Sequence, residues 1–333
     1  MDRVAGLSAA ERGELFQQSA ARRGLRDAII EKDFWVCWVL KKLFTDDNLK
    51  SRLVFKGGTS LSKVYKLIDR FSEDVDLILD WQLLGYGSEG DDPHRHLASK
   101  NQQDRFNKRM NERAAEHVRG PLMAQLSVIF SSVDEVTAAV DAHDPHCISV
   151  GYPAAFRAEY LIPTVRLEIG PLASWVPSRS HSIRPYASED YPDVFRDPIC
   201  PVVAIAAERT FWEKATILQR EAHRAGAIPS RHSRHYYDLF KLANSTIRVS
   251  ALRDQKLLQD VVAFKDRFYP SGWARYDLAV PGTFRLLPKE QHIADLEKDY
   301  HTMSGMLFGD IPSFAAIIDG LAALEVEINR LKG

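Results

Sequence analysis

The chain has 333 residues, of which 45% are hydrophobic, and a formal net charge of -1 at pH 7. That length and apolar content allow two packed domains, or one domain with a large helical half. The near-neutral charge excludes a protein that coats nucleic acid non-specifically, so any contact with nucleic acid must be local. Three scattered cysteines, with neither an apolar signal segment nor an apolar run of membrane-spanning length, predict a cytoplasmic protein with free thiols and no membrane partner.

The first fifty residues predict helices. The segment from Ile29 to Phe44 is apolar on nearly every side, which is typical of a buried helix. A short apolar run, Leu53 to Phe55, follows and predicts a strand.

A pair of glycines comes directly after that strand. Gly57 and Gly58 allow a sharp turn in which backbone N–H groups approach phosphate oxygens. The apolar residues after the pair repeat at helical spacing, which places the turn at a helix N-terminus, where an anion is favoured; they are Leu61, Val64, Tyr65 and Ile68. The residues expected to contact a nucleotide are Gly57, Gly58, Thr59, Ser60 and Lys63.

A second strand supplies two carboxylates. Asp74 and Asp76 alternate with apolar residues, so both aspartates face the same side of the strand. Mg²⁺ prefers such hard oxygen ligands and completes its octahedral shell with substrate phosphates. A pair of these ions can hold both the attacking and the leaving oxygens of a phosphoryl transfer. The order strand, glycine turn, helix and Asp-x-Asp strand therefore predicts a nucleotide-transfer site that uses Mg²⁺.

Two further segments, Gln125 to Val133 and Thr164 to Ile169, predict strands. In the second of them, Glu168 lies on the polar face together with Arg166. If this strand neighbours the Asp-x-Asp strand, Glu168 becomes a third carboxylate, acting as a general base or an outer metal ligand. The alternative is an exposed polar strand face with no chemistry.

A connection rich in Pro, Ser and Asp runs from Pro171 to Pro201 and marks a predicted domain boundary. Beyond it the pattern is mostly helical and ends in a helix from Phe314 to Leu331, after the start signal Pro312-Ser313. A helix over 204–222 has an apolar stripe with Lys214 at its edge. This lysine either presents its ammonium to a triphosphate or is a surface side chain with a buried stem.

A basic cluster interleaved with tyrosines follows Lys214. Its composition suits phosphate contacts and stacking on unpaired bases. A solvated helix end with a basic turn is the alternative. The predicted RNA-binding residues are Arg220, Arg224, Arg231 and Arg234.

The runs Gly57-Gly58-Thr59-Ser60-Leu61 and Arg70-Phe71-Ser72-Glu73-Asp74-Val75-Asp76-Leu77 together resemble the AbiEii/AbiGii-type toxin nucleotidyltransferases, a branch of the polymerase-β-like superfamily. The segment Glu31 to Val36 is similar to that family's N-terminal helix. Arg231 to Leu239 resembles the family's Arg-x-x-Arg/Lys-Asp-x-x-Asp segment, except that His235 stands where the family usually has Asp.

Element order and resemblance both indicate an α+β fold: a polymerase-β-like module with a small mixed sheet, followed by a helical module. A nucleotidyltransferase domain is expected over 1–200, and a mainly helical domain over 201–333 that contributes Lys214 and Asp238 to the cleft. Asp238 orients Lys214, contacts the nucleotide, or is only a helix-start carboxylate. The expected catalytic residues are Asp74, Asp76, Glu168, Lys214 and Asp238, the first three also as metal ligands.

The resemblance implies a toxin of a toxin–antitoxin or phage-defence pair. Such a protein transfers a nucleoside monophosphate from an NTP to RNA, commonly the 3′ end of tRNA, with Mg²⁺ as cofactor and release of pyrophosphate. A cognate antitoxin is an implied partner. Two alternatives stay open: a nucleotidyltransferase that modifies a small molecule or a protein hydroxyl, and an inactive nucleotide-binding regulator. The combined presence of the four residues Asp74, Asp76, Glu168 and Lys214 argues against the inactive regulator.

Overall fold

The computed structural model describes residues 1–87, 99–157 and 162–331. Contacts divide the chain into a first unit, Met1–Val64 with Glu73–Ile205, and a second unit, Tyr65–Ser72 with Ala206–Gly333. The short segment 65–72 therefore packs with the C-terminal half, although its neighbours in sequence belong to the first unit. The division of the chain into functional domains at residue 200 stays a prediction.

The first unit is a mixed α and β structure. Its helices, within the described residues, are α1 (Asp2–Ala5), α2 (Ala9–Arg23), α3 (Asp27–Thr45), α4 (Gly57–Lys63), α5 (Lys100–His117), α6 (Met123–Phe130) and α7 (Tyr186–Asp190). Its strands are β1 (Leu53–Lys56), β2 (Asp74–Leu79), β3 (Thr137–Val140), β4 (Cys147–Gly151), β5 (Thr164–Gly170), β6 (Ser178–Ile183) and β7 (Cys200–Ile205).

These strands form one mixed sheet in the order β3-β4-β5-β2-β1-β7-β6. The pairs β2/β5 and β1/β7 are parallel, and the other neighbours are antiparallel. The predicted α+β fold with a mixed sheet is confirmed. The strands at 53–55 and 164–169 and the Asp-x-Asp strand are likewise observed where the sequence predicts them.

Helix α3 is buried on nearly every side, as its apolar pattern predicts. Phe34, Trp35, Trp38 and Leu40 are each 0% exposed. Burial of one large apolar side chain stabilises a fold by about 1.5–3 kcal/mol, so this helix is a principal part of the core of the first unit.

One predicted strand is wrong. Gln125 to Val133 does not form a strand, because Met123–Phe130 is helix α6, which continues α5 through the π-helical turn Val118–Leu122. A short apolar run does not distinguish a buried strand from a helix by its periodicity, and here the helix already under way extends into it.

The helix after the glycine pair is shorter than its spacing predicts. It ends at Lys63, so the predicted stripe residues Val64, Tyr65 and Ile68 lie beyond it. Lys66 has a φ of +54°, a left-handed conformation that an α-helix does not contain. Leu61 and Ile68 are both buried, but they belong to different units.

The second unit is helical, as predicted for the C-terminal half. Its helices are α8 (Ala207–Ala222), α9 (Ser233–Ala243), α10 (Ile247–Arg253), α11 (Gln255–Phe268), α12 (Glu290–Met303) and α13 (Phe314–Asn329). Helix α8 starts three residues later than its apolar stripe suggests, because Cys200–Ile205 pairs with β6 as strand β7. Ser313 caps α13 as its sequence signal predicts. Among the described residues, no helix is both long and apolar enough to span a membrane.

Candidate active site

Strand β2 presents its two aspartates on one face. Val75 and Leu77 are 0% and 1% exposed on the core side, whereas Asp74 and Asp76 are half-buried on the opposite side. The alternation that the sequence predicts is therefore present in the fold.

Glu168 joins these aspartates through strand pairing. β5 runs parallel to β2 with Glu168 opposite Asp76 and Arg166 opposite Asp74, so the neighbourhood required for a third carboxylate exists. Burial raises the pKa of Glu168, and the negative charges of Asp76 and Asp74 raise it further. Asp74, Asp76 and Glu168 are termed the acidic group below. Mutual repulsion of its charges is the electrostatic condition that a bound cation relieves.

The glycine turn lies directly against this group. Lys56, the last residue of β1, pairs with Asp76 across the sheet, with its Nζ 3.6 Å from Oδ1. The next residue, Gly57, has a φ of +77°, and a Cβ added to it would lie 1.9 Å from Asp76 Oδ2. Both the conformation and the close approach require glycine at this position. The first backbone atoms of α4 are thereby held next to the carboxylate.

The hydroxyl groups of α4 connect the helix to its surroundings. Thr59 Oγ1 donates to the carbonyl oxygen of Asp74, and Ser60 Oγ donates to the carbonyl oxygen of Gly57 at 2.9 Å. Both side chains are buried. The Thr59 bond fixes α4 against β2, and the Ser60 bond closes the first turn of α4. The nucleotide contacts proposed for Gly57, Gly58, Thr59 and Ser60 stay a prediction.

Lys63 is taken up inside the fold. Its Nζ lies 2.6 Å from Asp33 Oδ1 and 3.8 Å from the ring centroid of Tyr186, and it donates to the Arg184 carbonyl at 3.1 Å. These contacts hold the end of α4 to α3 and α7. Lys63 therefore packs within the first unit, and its predicted nucleotide contact stays a prediction.

Three consecutive buried charges of α3 support this arrangement, and the sequence analysis did not identify their role. Glu31 accepts hydrogen bonds from the N–H groups of Ala155 and Phe156, and Lys32 Nζ lies 3.1 Å from Glu73 Oε2. Asp33 accepts from the N–H of Tyr186. Glu73 immediately precedes Asp74, so Lys32 helps to position the start of β2. The available signal was charge inside an otherwise apolar helix.

The acidic group fits Mg²⁺ by its chemistry, since it offers hard carboxylate oxygens on one sheet face. In the described parts of the chain, however, no three His, Cys, Asp or Glu side chains converge closely enough to hold a metal ion by themselves. The metal-ligand role of Asp74, Asp76 and Glu168 stays a prediction. Mg²⁺ bound by one or two carboxylates and substrate phosphates does not need such a cluster.

A second constellation lies within the second unit. Asp238 is 0% exposed, and its two oxygens accept from Arg70 Nε at 2.7 Å and Nη2 at 2.9 Å. Lys214 Nζ lies 2.8 Å from Asp238 Oδ2 and 3.1 Å from His235 Nδ1. Arg70, Lys214, His235 and Asp238 are termed the lysine group. Arg70 was not identified from the sequence, although it begins the run that contains both aspartates.

Burial and charge determine the ionisation of the lysine group. Burial raises the pKa of Asp238, but Arg70 and Lys214 outweigh it and hold that pKa well below its ordinary value. Burial lowers the pKa of Lys214, an effect that Asp238 opposes. Burial and the Lys214 charge lower the pKa of His235. Its neutral ring therefore accepts a hydrogen bond from the Lys214 ammonium group. Asp238 is fully buried and paired with both Arg70 and Lys214, and its role in the site stays a prediction.

The predicted RNA-binding arginines divide into two sets. Arg220 and Arg224 both pair with the buried carboxylate of Glu221 on α8. Arg231 is exposed, and its backbone N–H donates to Asp299 Oδ1 at 2.6 Å. Arg234 lies half-buried in the first turn of α9.

A family model described as "Nucleotidyl transferase AbiEii toxin, Type IV TA system" matches residues 38–320. No curated protein matches the chain.

Two solved structures are similar to this chain. One is MenT4, the nucleotidyltransferase toxin Rv2826c from Mycobacterium tuberculosis H37Rv, with 18% identity and a TM-score of 0.53 over 98% of this chain and 91% of that chain. The other is JHP933 from Helicobacter pylori, with 16% identity and a TM-score of 0.34 over 89% of this chain and 95% of that chain. The likeness to MenT4 supports the fold alone, and no conclusion is drawn from the likeness to JHP933.

Proposed function

The chain belongs to the AbiEii family of nucleotidyl transferase toxins of type IV toxin–antitoxin systems, and on that premise we propose that it transfers a nucleoside monophosphate from an NTP to RNA with the help of Mg²⁺. The proposed acceptor is the 3′ end of tRNA, pyrophosphate is the second product, and a cognate antitoxin limits the activity. The observation that carries the proposal is the pairing of Asp76 with Glu168 across β2 and β5, directly beside the Gly57 turn.

In this proposal each member of the acidic group has a distinct task. Asp74 and Asp76 would hold the metal, whose positive charge would stabilise the transferring phosphoryl group. Glu168 accepts the proton of the attacking hydroxyl. Its raised pKa favours this task, since a base works best when its pKa approaches the operating pH. Gly57 lets the Asp76 carboxylate lie directly against the first turn of α4.

The lysine group supplies the cation for the departing phosphates. The ammonium of Lys214 is held by Asp238 and His235, so its position is fixed before substrate arrives. A preorganised charge stabilises developing negative charge without rearrangement during the reaction. Arg70 keeps Asp238 ionised and therefore acts through it.

The direct test incubates the purified protein with total cellular RNA, Mg²⁺ and each of the four labelled NTPs in turn. We expect label in RNA of tRNA size. We expect no label when the terminal ribose of the RNA is oxidised with periodate before the reaction. If only proteins or small molecules are labelled in a whole lysate, RNA is not the acceptor and one of the two alternative acceptors takes its place. Absence of transfer to any acceptor would contradict the enzymatic proposal.

Replacement of Lys214 by Met should reduce nucleotidyl transfer by about 100- to 1,000-fold, the usual effect of removing one preorganised charge from a transition state. Met keeps the stem of the side chain, and Asp238 keeps its two bonds to Arg70, so the fold should persist. Transfer rate, KM for NTP and thermal unfolding are measured together. Lys241→Met, which removes the lysine of a partly exposed pair with Asp69, is the matched control. A transfer rate within a few-fold of the wild-type rate would show that Lys214 is not needed for transfer and that α8 only packs within the second unit.

RNA binding should weaken steeply with salt, because each phosphate contact releases counterions. Three contacts to single-stranded RNA predict roughly a 20-fold loss of affinity between 50 and 200 mM salt. Joint replacement of Arg224, Arg231 and Arg234 by Gln should flatten the slope by about 2 in log–log units and reduce RNA labelling more than NTP binding. Affinity that does not respond to salt would exclude these arginines as phosphate contacts.

A further inference from the structure

Helix α8 continues beyond Lys214 into a second polar constellation. Glu221 follows Lys214 by seven residues, so it lies on the same helix face about 10 Å further along the axis. Its side chain is 0% exposed and accepts from Arg220 Nε at 3.0 Å, Arg220 Nη2 at 2.9 Å and Arg224 Nη2 at 3.2 Å. One buried carboxylate therefore fixes two guanidinium groups.

Both guanidinium groups lie over one exposed tryptophan. The Cζ atoms of Arg220 and Arg224 are 5.5 Å and 4.7 Å from the ring centroid of Trp273, which is 42% exposed. The loop that carries this ring is fixed from α8, because the fully buried Gln219 donates to the Arg275 carbonyl at 3.3 Å. The ring and the two cations are thus held in place by buried side chains from one turn of α8.

A line of side-chain contacts connects this cluster to the lysine group. His232 Nε2 lies 3.8 Å from Glu221 Oε1, and the rings of His232 and His235 are 5.2 Å apart. His235 in turn contacts Lys214 at 3.1 Å. A ligand that follows this line of side chains would extend from the lysine group to Trp273.

We propose that Trp273, Arg220 and Arg224 form a stacking subsite for an unpaired base of the acceptor RNA, with the guanidinium groups facing its phosphates. This inference rests on the proposed function, because it places part of the acceptor. An aromatic face accepts any base, and adjacent arginines bind the backbone that connects successive bases. The subsite therefore selects single-stranded over double-stranded RNA and has little preference among bases.

The charge around the ring favours nucleic acid over a protein partner. Arg275, Arg285 and Lys289 are exposed near the same turn of α8, and after burial they are the main causes that lower the pKa of His223. Among the described acidic residues near this turn, Glu221 is buried beneath the arginines, Asp277 is paired with Arg275, and Asp266 is exposed. The exposed charge is thus mainly positive, as a polyanion requires.

The test measures binding of a fluorescein-labelled, unstructured single-stranded RNA of about twelve nucleotides to the full chain without NTP. Trp273→Ala should weaken this binding by roughly 5- to 150-fold, the range for the loss of one stacked base. Trp273→Phe should restore most of the affinity, and a duplex of the same length should respond little to either change. Arg224→Gln should weaken binding, whereas Arg253→Gln, which removes an exposed arginine from the end of α10, should not.

A second measurement does not depend on the stability of the Ala variant. Addition of the RNA should quench tryptophan fluorescence in the wild type, and the quenching should be largely lost in Trp273→Phe. Unchanged RNA affinity in Trp273→Ala together with equal quenching in Trp273→Phe would overturn the subsite and leave the surface to a protein partner. Because the binding assays contain no NTP, they judge the subsite separately from transfer. RNA affinity that is indifferent to Trp273 refutes this inference alone, whereas Trp273-dependent RNA binding without labelling in the NTP assay refutes the proposed function alone.

Discussion

Replacement of Asp76 by Asn is expected to reduce nucleotidyl transfer by at least about 1,000-fold, or roughly 4 kcal/mol of transition-state stabilisation, without unfolding the protein. Asp76 lies opposite Glu168 in the sheet and beside both Lys56 and Gly57, so its charge is central to the acidic group. Asn has the same shape and fits next to Gly57, which confines the change to charge. Transfer rates over a Mg²⁺ titration, with thermal unfolding in parallel, measure the effect.

Asp80→Asn is the matched control for this change. Asp80 directly follows β2 and pairs with Arg52 instead of the acidic group, so transfer should stay near the wild-type rate. Gly57→Ala should inactivate the protein through the same carboxylate, because the added methyl would overlap Asp76. Near-normal transfer by Asp76→Asn would show that Asp76 does not hold a metal that the reaction needs.

Replacement of Asp238 by Asn should lower the free energy of unfolding by about 3–5 kcal/mol, the cost of leaving buried charges without their counterion. Asp238 is 0% exposed, and its carboxylate is the shared partner of Arg70 and Lys214. Both cations would stay buried with an uncharged neighbour. Denaturant unfolding of the wild type and the variant at neutral pH measures the difference.

The neighbouring pair Asp69–Lys241 provides a control with the same connection. It also joins segment 65–72 to α9, at 2.6 Å, but its side chains are 42% and 24% exposed. Water screens such a pair, so Asp69→Asn should change the free energy of unfolding by no more than about 1 kcal/mol. Equal effects of the two substitutions would show that burial does not distinguish these ion pairs.

The pH dependence of the Asp238 effect follows from its pKa. Burial acts to raise that pKa, but Arg70 and Lys214 hold it below its ordinary value in the folded protein. The unfolded chain therefore binds the proton more tightly. The stabilisation is complete above the unfolded pKa, near about 4, and is lost as the pH falls through the lower folded pKa. The difference between wild type and Asp238→Asn should be constant from neutral pH to about pH 5 and then decrease.

The sequence by itself determined those features that depend on neighbours along the chain. Alternation places Asp74 and Asp76 on one strand face, the nearly continuous apolar run of α3 requires burial, and the stripe of α8 places Lys214 at its edge. Each follows from a repeat of two or of 3.6 residues, which backbone geometry imposes whatever the rest of the fold does. The position of Gly57 between a strand and a helix belongs to the same class.

The tertiary structure decided which of these local pieces meet, and in what environment. Only the parallel pairing of β2 with β5 sets Glu168 opposite Asp76. Arg70 and Asp238 are 168 positions apart, and nothing in the spacing of either segment indicates their contact. Lys63 closes the helix after the glycine turn, and only the fold brings its ammonium to the buried carboxylate of Asp33. Such contacts depend on long-range packing and desolvation, which act between surfaces that only the folded chain brings together.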